Sequence, residues 1–371
     1  MKTPRSSSVL IVGAGPAGLA TAVAARLEGF SVTVLDAASP PCDKACGEGL
    51  MPDAVERLRQ LGVSLPADRC HPFLGIRYLD GERVAAARFP RGQGLGVRRT
   101  VLHQALLERA EAVGATLRWR TRVSALEGDA VETGSGTVTA DWIVAADGLR
   151  SRLRRWAGLE GPAARHRRFG LRRHFAVPPW TDLVEVYWGP GYEAYVTPVS
   201  RREVGVAFLW QGRKTDFDEL LEGLPALRRR LAGAAVSSRD RGCGPLHQRV
   251  KAVTRGRLAL VGDASGYLDA ITGEGLALAF HQAVALVEAI KQGGLEGYAA
   301  QHRRIARLPN ALTRVLLFAE RHPALRRRVV RTLEGDPQLF RRFLGIHART
   351  HRLRDLGWTG AWRLARGLVA A

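Results

Sequence analysis

The chain has 371 residues, a formal net charge of +21 and a sequence pI near 11.1. This length predicts two domains, or one domain with an added lobe, around a large core. The four cysteines show no C-x-x-C spacing and are too few for a disulfide scaffold, and no His and Cys cluster is spaced like a zinc site. We therefore expect a reducing, cytoplasmic location and no metal.

The positive charge is almost entirely arginine and is spread along the chain. No helix-turn-helix, zinc-finger or aromatic RNA-binding motif accompanies it, so we expect no nucleic-acid partner. An anionic membrane surface or an acidic carrier protein stays open as a partner, because either would be attracted by this charge. The sequence does not predict the oligomeric state.

The first predicted elements are a buried strand at Val9 to Val12 and a helix at Leu19 to Leu27, joined by the turn Gly13-Ala14-Gly15-Pro16-Ala17-Gly18. The first glycine permits a tight turn, the second lets the backbone approach a pyrophosphate, and the third lets helix and strand pack closely. The stretch from Val9 to Ala25 carries no charge and follows Lys2 and Arg5, as in a signal peptide, but its glycines and proline favour retained structure.

A second strand, Ser31 to Leu35, ends at Asp36, where a carboxylate would bind ribose hydroxyls and disfavour a phosphorylated ribose. The alternative role for Asp36 is a strand-end cap. An irregular loop follows and contains Cys46-Gly47-Glu48-Gly49.

The next part of the chain, to residue 148, mixes helices with short strands. We predict helices at Pro52 to Leu61 and Thr100 to Val113, a strand pair at Gly75 to Leu79 and Arg83 to Phe89, a meander at Leu117 to Val123, Ala130 to Glu132 and Thr137 to Thr139, and a buried strand at Trp142 to Ala146. This last strand delivers Asp147-Gly148 at its carboxyl end.

Between about residues 159 and 250 the pattern becomes that of an antiparallel sheet. We predict strands at Phe169 to Phe175, Val184 to Trp188, Ala194 to Thr197 and Glu203 to Leu209. Aromatic residues concentrate here, and Tyr187, Tyr195 and Phe208 are candidates for the wall of an apolar substrate site, although aromatic residues also serve as ordinary core.

The chain then returns to a buried strand, Arg257 to Val261, followed by Gly262-Asp263-Ala264 and a helix from Leu276 to Ile290. Beyond Leu295 the pattern is helical and arginine-rich, with predicted breaks at Pro309, Pro323 and Pro337. The predicted cofactor domain is therefore discontinuous, with residues 1–75, 98–157 and 255–295. The substrate domain comprises residues 76–97 and 158–254, and residues 296–371 form a helical extension.

Three segments, Gly13 to Gly18, Asp147-Gly148 and Gly262-Asp263-Ala264, follow one another in the order found in a known family. This order resembles that of the flavoprotein monooxygenases of the para-hydroxybenzoate hydroxylase type, which include the geranylgeranyl reductases. Arg99-Thr100-Val101-Leu102 is similar to that family's R-x-x-L, and Cys46-Gly47-Glu48-Gly49 and Gly273-Glu274-Gly275 are similar to segments of the geranylgeranyl reductases. The resemblance implies an α/β fold with a Rossmann-like FAD domain, an inserted antiparallel-sheet domain and a C-terminal helical extension. It implies FAD contacts at Gly13, Gly15, Pro16, Ala17, Gly18, Asp36, Lys44, Gly47, Arg99, Val123, Asp147, Gly148, Gly262, Asp263, Gly273, Glu274, Gly275 and Leu276.

The leading hypothesis is an FAD enzyme that hydroxylates a hydrophobic or aromatic small molecule, with NADH or NADPH as transient reductant. The alternatives are an ene-reductase of an isoprenoid or polyketide double bond, and a basic flavin-binding scaffold without turnover. Cys46 and Tyr195 are the candidate catalytic side chains, with His174 and His71 as further guesses.

Overall fold

A computed structural model describes residues 7–163, 167–213, 215–352 and 355. The helices in this part of the chain are α1 (Pro16–Leu27), α2 (Pro52–Gln60), α3 (Arg99–Ala112), α4 (Arg152–Trp156), α5 (Phe217–Glu222), α6 (Pro225–Leu231), α7 (Gly275–Lys291), α8 (Glu296–Arg321), α9 (Pro323–Gly335) and α10 (Pro337–His347). The strands are β1 (Ser8–Val12), β2 (Ser31–Leu35), β3 (Gly49–Leu50), β4 (Cys70–Phe73), β5 (Gly75–Asp80), β6 (Arg83–Arg88), β7 (Gly94–Val97), β8 (Thr116–Arg118), β9 (Val123–Glu127), β10 (Ala130–Thr133), β11 (Gly136–Thr139), β12 (Trp142–Ala145), β13 (Arg168–Ala176), β14 (Val184–Trp188), β15 (Tyr192–Ser200), β16 (Glu203–Gln211), β17 (Ala235–Val236), β18 (Arg241–Cys243), β19 (Thr254–Arg255) and β20 (Leu258–Leu260).

A sheet with the order β19-β20-β12-β1-β2-β8 forms the centre of the first layer, and only β19 runs antiparallel to its neighbour. Its inner strands are apolar on both faces, as expected for a parallel sheet covered by helices. Helices α1, α3 and α7 pack together in the largest hydrophobic cluster. The strands that precede Gly13, Asp147 and Gly262 are parallel, so their carboxyl ends meet at one edge.

The second sheet has the order β17-β13-β16-β15-β14-β5-β6, with β18 also paired to β13. Its pairs are antiparallel except that β14 runs parallel to β5. The hairpin of β5 and β6 thus joins strands that lie about a hundred residues further along the chain. The two small sheets, β11-β10-β9 and β3-β7-β4, complete the architecture. The predicted α/β fold class, with its inserted antiparallel sheet and C-terminal helices, is confirmed.

Two predictions of local structure are wrong. The single strand expected from Leu117 to Val123 is two strands, because the chain breaks at Arg120, whose φ of 55° lies in the left-handed region. Strand β8 joins the parallel sheet, and β9 starts the meander.

The second error concerns Pro309, where the sequence predicts a helix break. Helix α8 instead continues through this proline, which cannot donate the usual hydrogen bond to the carbonyl of Ile305. The guanidinium of Arg349 donates to that carbonyl at 2.8 Å and replaces the missing donor. Pro323 and Pro337 occupy the first turns of α9 and α10, where proline is favoured. The rest of the predicted extension, beyond residue 352 except for 355, lies outside the described residues.

Candidate cofactor and substrate site

A cavity of about 650 Å³ lies between the two large sheets. One end is bordered by residues at the carboxyl edge of the parallel sheet, and the other end by apolar side chains of the second sheet. The predicted site residues that line it are Gly15, Pro16, Ala17, Lys44, Cys46, Gly47, Arg99, Asp147, Gly148, Tyr195, Phe208, Gly262, Asp263, Gly273, Gly275 and Leu276.

The three glycine-containing segments converge at this cavity. Gly13 has a φ of 108°, and a Cβ there would lie 2.4 Å from the carbonyl oxygen of Ala146. A Cβ at Gly262 would lie 2.6 Å from the Cβ of Ala17. These approaches leave no room for side chains, so the glycines let the strand ends close around a single space.

The start of α1 leaves backbone donors unsatisfied at the edge of the cavity. Gly15 is its N-cap, Pro16 follows, and the first turn carries no acidic side chain and no side-chain cap. Such a helix end presents free N–H groups and a partial positive charge. A phosphate is the kind of ligand that would satisfy them.

Two charged side chains near this helix end, the buried Arg99 and the half-buried Asp263, form no ion pair with another described residue. The Nη1 atom of Arg99 is buried and makes no hydrogen bond within the described residues. Burial lowers the pKa of Arg99 and raises the pKa of Asp263, and positive charge from Lys44 and Arg99 partly offsets the effect on Asp263. A guanidinium with an unpaired buried nitrogen and a half-buried carboxylate at one cavity suit a polar ligand that has both acceptors and donors.

Three predicted cofactor residues have other partners in this structure, and a fourth, Val123, is part of the core. The carboxylate of Asp36 accepts hydrogen bonds from the backbone of Ala14 and Ala38 at 2.7 and 2.8 Å. Asp147 accepts from Ser151 and from the backbone of Arg152, and so holds the start of α4.

Glu274 is buried and lies 3.3 Å from His347 Nε2, and Val123 is part of the core beside the meander. Among the predicted residues, Gly13, Gly18, Asp36, Val123, Glu274 and Tyr187 do not line the cavity.

The far end of the cavity is lined by apolar side chains, among them Met51, Phe73, Ile76, Val184 and Val186. All five are buried and belong to one hydrophobic cluster. This end can therefore take an apolar ligand but offers few polar groups to orient it.

The three candidate aromatic residues have different environments. Tyr195 lines the cavity, and its hydroxyl donates to the carbonyl of Ile271 at 2.7 Å. Tyr187 lies on the opposite face of β14 from Val184 and Val186 and donates to Glu185. Phe208 borders the cavity, but its ring packs against Phe217 on the far side of the sheet.

Sequence reasoning missed the buried polar network that holds the Cys46-to-Gly49 segment. Glu48 has a φ of 58°, is 3% exposed and accepts a hydrogen bond from the backbone of Arg99 at 2.7 Å. Its carboxylate also contacts His174, which bonds to Arg172 at 2.9 Å. The histidine was a sequence candidate for acid or base, and the structure places it behind this segment instead. Only the glycines beside Glu48 signalled the unusual backbone.

The cavity is bordered by glycines at the strand ends, by a helix N-terminus that suits a phosphate, and by the charged side chains of Arg99 and Asp263. These groups suit a polyhydroxylated, doubly phosphorylated ligand, and they fit FAD. The protein is an FAD-dependent oxidoreductase. A family profile described as FAD binding domain matches residues 6–303, and the chain belongs to that family.

Known relatives include reductases and a hydroxylase. The chain is 30% identical over 323 residues to a menaquinone reductase of Mycolicibacterium smegmatis, covering 79% of this chain and 78% of the relative. It is 24% identical over 297 residues to a digeranylgeranylglycerophospholipid reductase of Methanococcus vannielii, covering 74% of each. It is 34% identical over 167 residues to a hispidin-3-hydroxylase of Neonothopanus nambi, covering 41% of this chain and 40% of the relative.

The fold matches that of a flavoprotein/dehydrogenase from Cytophaga hutchinsonii with a TM-score of 0.82 at 18% identity, covering 98% of each chain.

Because the sequence relatives are enzymes, the hypothesis of a scaffold without turnover is wrong.

Proposed function

We propose that this enzyme reduces a carbon–carbon double bond in an apolar substrate of the isoprenoid or polyketide class. The observation that carries the proposal is the division of one cavity into a glycine-lined end and an apolar end. The apolar end excludes water from the reacting atoms and binds the substrate by hydrophobic contact. The similarity to two lipid-reducing enzymes over about three quarters of the chain supports this substrate class.

The residues that would hold FAD are those with unsatisfied polar groups. Backbone N–H groups after Gly15 suit the pyrophosphate, and the unpaired Nη1 of Arg99 suits a phosphate of the linking chain. The half-buried carboxylate of Asp263 suits the hydroxyls of that chain. When bound and reduced, FAD supplies a hydride. In this proposal NADH or NADPH is the reductant and docks transiently.

Reduction of a double bond also requires a proton, and we assign its delivery to Cys46. The thiol lines the cavity beside Gly47, and burial raises its pKa. It therefore keeps its proton at neutral pH and can pass it to the carbon that does not receive the hydride. The thiolate left behind regains a proton from water.

Tyr195 has a different role in this proposal. Burial raises its pKa well above 10, and its hydroxyl already donates to Ile271. It anchors the segment that leads to Gly273 and forms part of the apolar wall.

Hydroxylation of an aromatic or hydrophobic molecule is the second candidate. The similarity to a hydroxylase over two fifths of the chain favours it. The same apolar end of the cavity would bind the substrate, and O2 would be a co-substrate beside the reduced nicotinamide.

The two candidates differ in product and in oxygen dependence. The purified FAD-loaded enzyme is incubated with NADPH or NADH and a panel of menaquinones and polyprenyl compounds, with and without O2. Anaerobic formation of a product that stays heavier by two hydrogen atoms after any quinol has been reoxidised supports reduction of a carbon–carbon double bond. A product heavier by one oxygen atom, formed only with O2, would replace it with hydroxylation.

The same assay tests Cys46. Cys46→Ala should lower kcat at least about tenfold and leave substrate binding within about twofold, since general acid catalysis contributes factors of this size or more. Cys42→Ala is the matched control, because Cys42 lies four residues away and does not line the cavity. An unchanged kcat in Cys46→Ala would remove Cys46 from the mechanism.

A further inference from the structure

Helix α8 has one side at the cavity and the other exposed to solvent. Leu316 lines the apolar part of the cavity, and Thr313 is buried behind it. On the outer side, Val315 is 63% exposed and Phe318 is 55% exposed. Two large apolar side chains one helical turn apart therefore face water, directly behind the wall of the site.

The same outer side of α8 is positively charged. Arg304, Arg307, Arg314 and Arg321 are exposed, and none forms an ion pair with any described residue. Between Glu296 and Glu320 the helix contains no acidic residue, and Glu320 is buried. We call this outer side, with Val315 and Phe318 among the four arginines, the α8 outer face.

We propose that the α8 outer face docks on an anionic membrane surface, from which an apolar substrate passes into the cavity. A bilayer offers phosphate groups at the level of the arginines and hydrocarbon below them for Val315 and Phe318. An acidic carrier protein is the other occupant that the arginines would attract, and the vesicle experiment below distinguishes the two. The substrate route rests on the proposed function, whereas docking itself rests on the surface alone.

No helix in the described part of the chain is long and apolar enough to cross a membrane. Docking would therefore be peripheral. Its strength would come from two sources, with the arginines supplying attraction to anionic headgroups and Val315 and Phe318 supplying shallow insertion. Each arginine near such a surface tightens binding by about fivefold at low ionic strength.

Co-sedimentation with vesicles tests this proposal without any turnover. The FAD-loaded protein is mixed with vesicles of phosphatidylcholine alone, or of phosphatidylcholine and phosphatidylglycerol in a two-to-one ratio. We expect binding to the anionic vesicles and little to the neutral ones. Arg314→Gln with Arg321→Gln should weaken binding by about 25-fold, and Val315→Ser with Phe318→Ser by at least about tenfold.

Two control variants match these changes on other surfaces. Val236→Ser removes another apolar side chain that is 55% exposed, and Arg228→Gln with Arg229→Gln removes two exposed arginines of α6. Both controls should bind like the unaltered protein. All variants should keep FAD and the melting temperature, because the altered side chains face solvent.

Three results would overturn the proposal. They are failure of the unaltered protein to bind anionic vesicles, binding of the α8 variants as tight as that of the controls, and binding of an acidic carrier protein to the α8 outer face in place of vesicles. Intact vesicle binding with no reduction of lipid substrates would count against the proposed function alone.

Discussion

Asp263 is the residue whose environment is hardest to explain without a ligand. Its carboxyl group is partly removed from water, which raises its pKa, although the positive charges of Lys44, Arg99 and Arg154 oppose this effect. A half-buried carboxylate that lacks hydrogen-bond donors costs free energy in the empty protein. Two ribityl hydroxyls would supply those donors, which gives the FAD site a residue that is unfavourable until the cofactor binds.

Asp263→Asn should therefore have opposite effects on the empty and the loaded protein. We expect the melting temperature of the apoprotein to stay the same or rise, because a neutral amide costs less to bury. We expect FAD affinity to fall about 10- to 100-fold, since a hydrogen bond to a charged acceptor contributes about 1.5–3 kcal/mol. Thermal melting and fluorescence titration with FAD measure the two quantities.

Asp129→Asn is the control, because Asp129 is exposed in the turn between β9 and β10 and does not line the cavity. A lower melting temperature of apo Asp263→Asn, together with normal FAD affinity, would make Asp263 a structural residue.

At the level of elements, α8 continues through a proline because a side chain distant in sequence supplies the missing hydrogen bond. Pro309 removes the hydrogen bond to the Ile305 carbonyl, and Arg349, forty residues later in sequence, donates to it at 2.8 Å. The same guanidinium lies 3.4 Å from Asp53 in α2. Arg349 thus connects the C-terminal helices to the domain that carries the glycine loop.

A double-mutant cycle between positions 309 and 349 isolates this contact. Arg349→Gln alone should destabilise the protein by about 1–3 kcal/mol, because it leaves a half-buried carbonyl unsatisfied. In a Pro309→Ala background the new backbone N–H satisfies Ile305, so the same change should cost at least about 1 kcal/mol less.

The ion pair with Asp53 is lost in both backgrounds and cancels in the cycle. Urea unfolding of the four proteins gives the free energies. Equal costs in the two backgrounds would show that Arg349 acts only through Asp53.

Strand orientation is also decided at this level. Alternation predicts that Tyr187 and Val186 of β14 face opposite sides of the sheet, but not which side is the cavity. The pairing of β14 with β5 turns Val184 and Val186 toward Ile76 and the cavity. Tyr187 is turned toward Glu185 and the hydrophobic cluster that contains Phe208 and Phe217.

For the whole molecule, a buried charge cluster connects three regions. Arg168 of β13 faces Glu193 of β15, Asp269 before the Gly273 segment, and Glu320 of α8. One guanidinium cannot neutralise three buried carboxylates. Burial and the neighbouring carboxylates therefore raise the pKa of Glu193 from its usual 4.5 to about 8, although Arg168 opposes this, and burial also raises the pKa of Asp269.

The stability of the protein should consequently fall as the pH rises from about 4.5 to about 8. In that range the folded protein keeps a proton on Glu193 that the unfolded chain has already lost. Glu193→Gln keeps a neutral side chain at every pH, so the fall in melting temperature between pH 5 and pH 8 should shrink by at least about 3 °C.

Glu222→Gln, at an exposed position in α5, should melt with the same pH dependence as the unaltered protein. Parallel melting curves for Glu193→Gln and the unaltered protein would mean that Glu193 is ionised throughout.

Much of this protein was determined by its sequence alone. The glycine turns, the buried strands and the residues that end them predicted a dinucleotide-binding fold, because each depends on neighbours in the chain and on backbone conformations that few residues adopt. The order of these segments resembles a known family, and that resemblance implied FAD. Only tertiary structure decided four other features. These are the contact of Arg349 with the Ile305 carbonyl of α8, the hydrogen bonds of Glu48, the charge cluster around Arg168, and the side of the second sheet that faces the cavity. Each of these joins groups far apart in sequence, and its energy depends on burial and on exact distance, which no local pattern records.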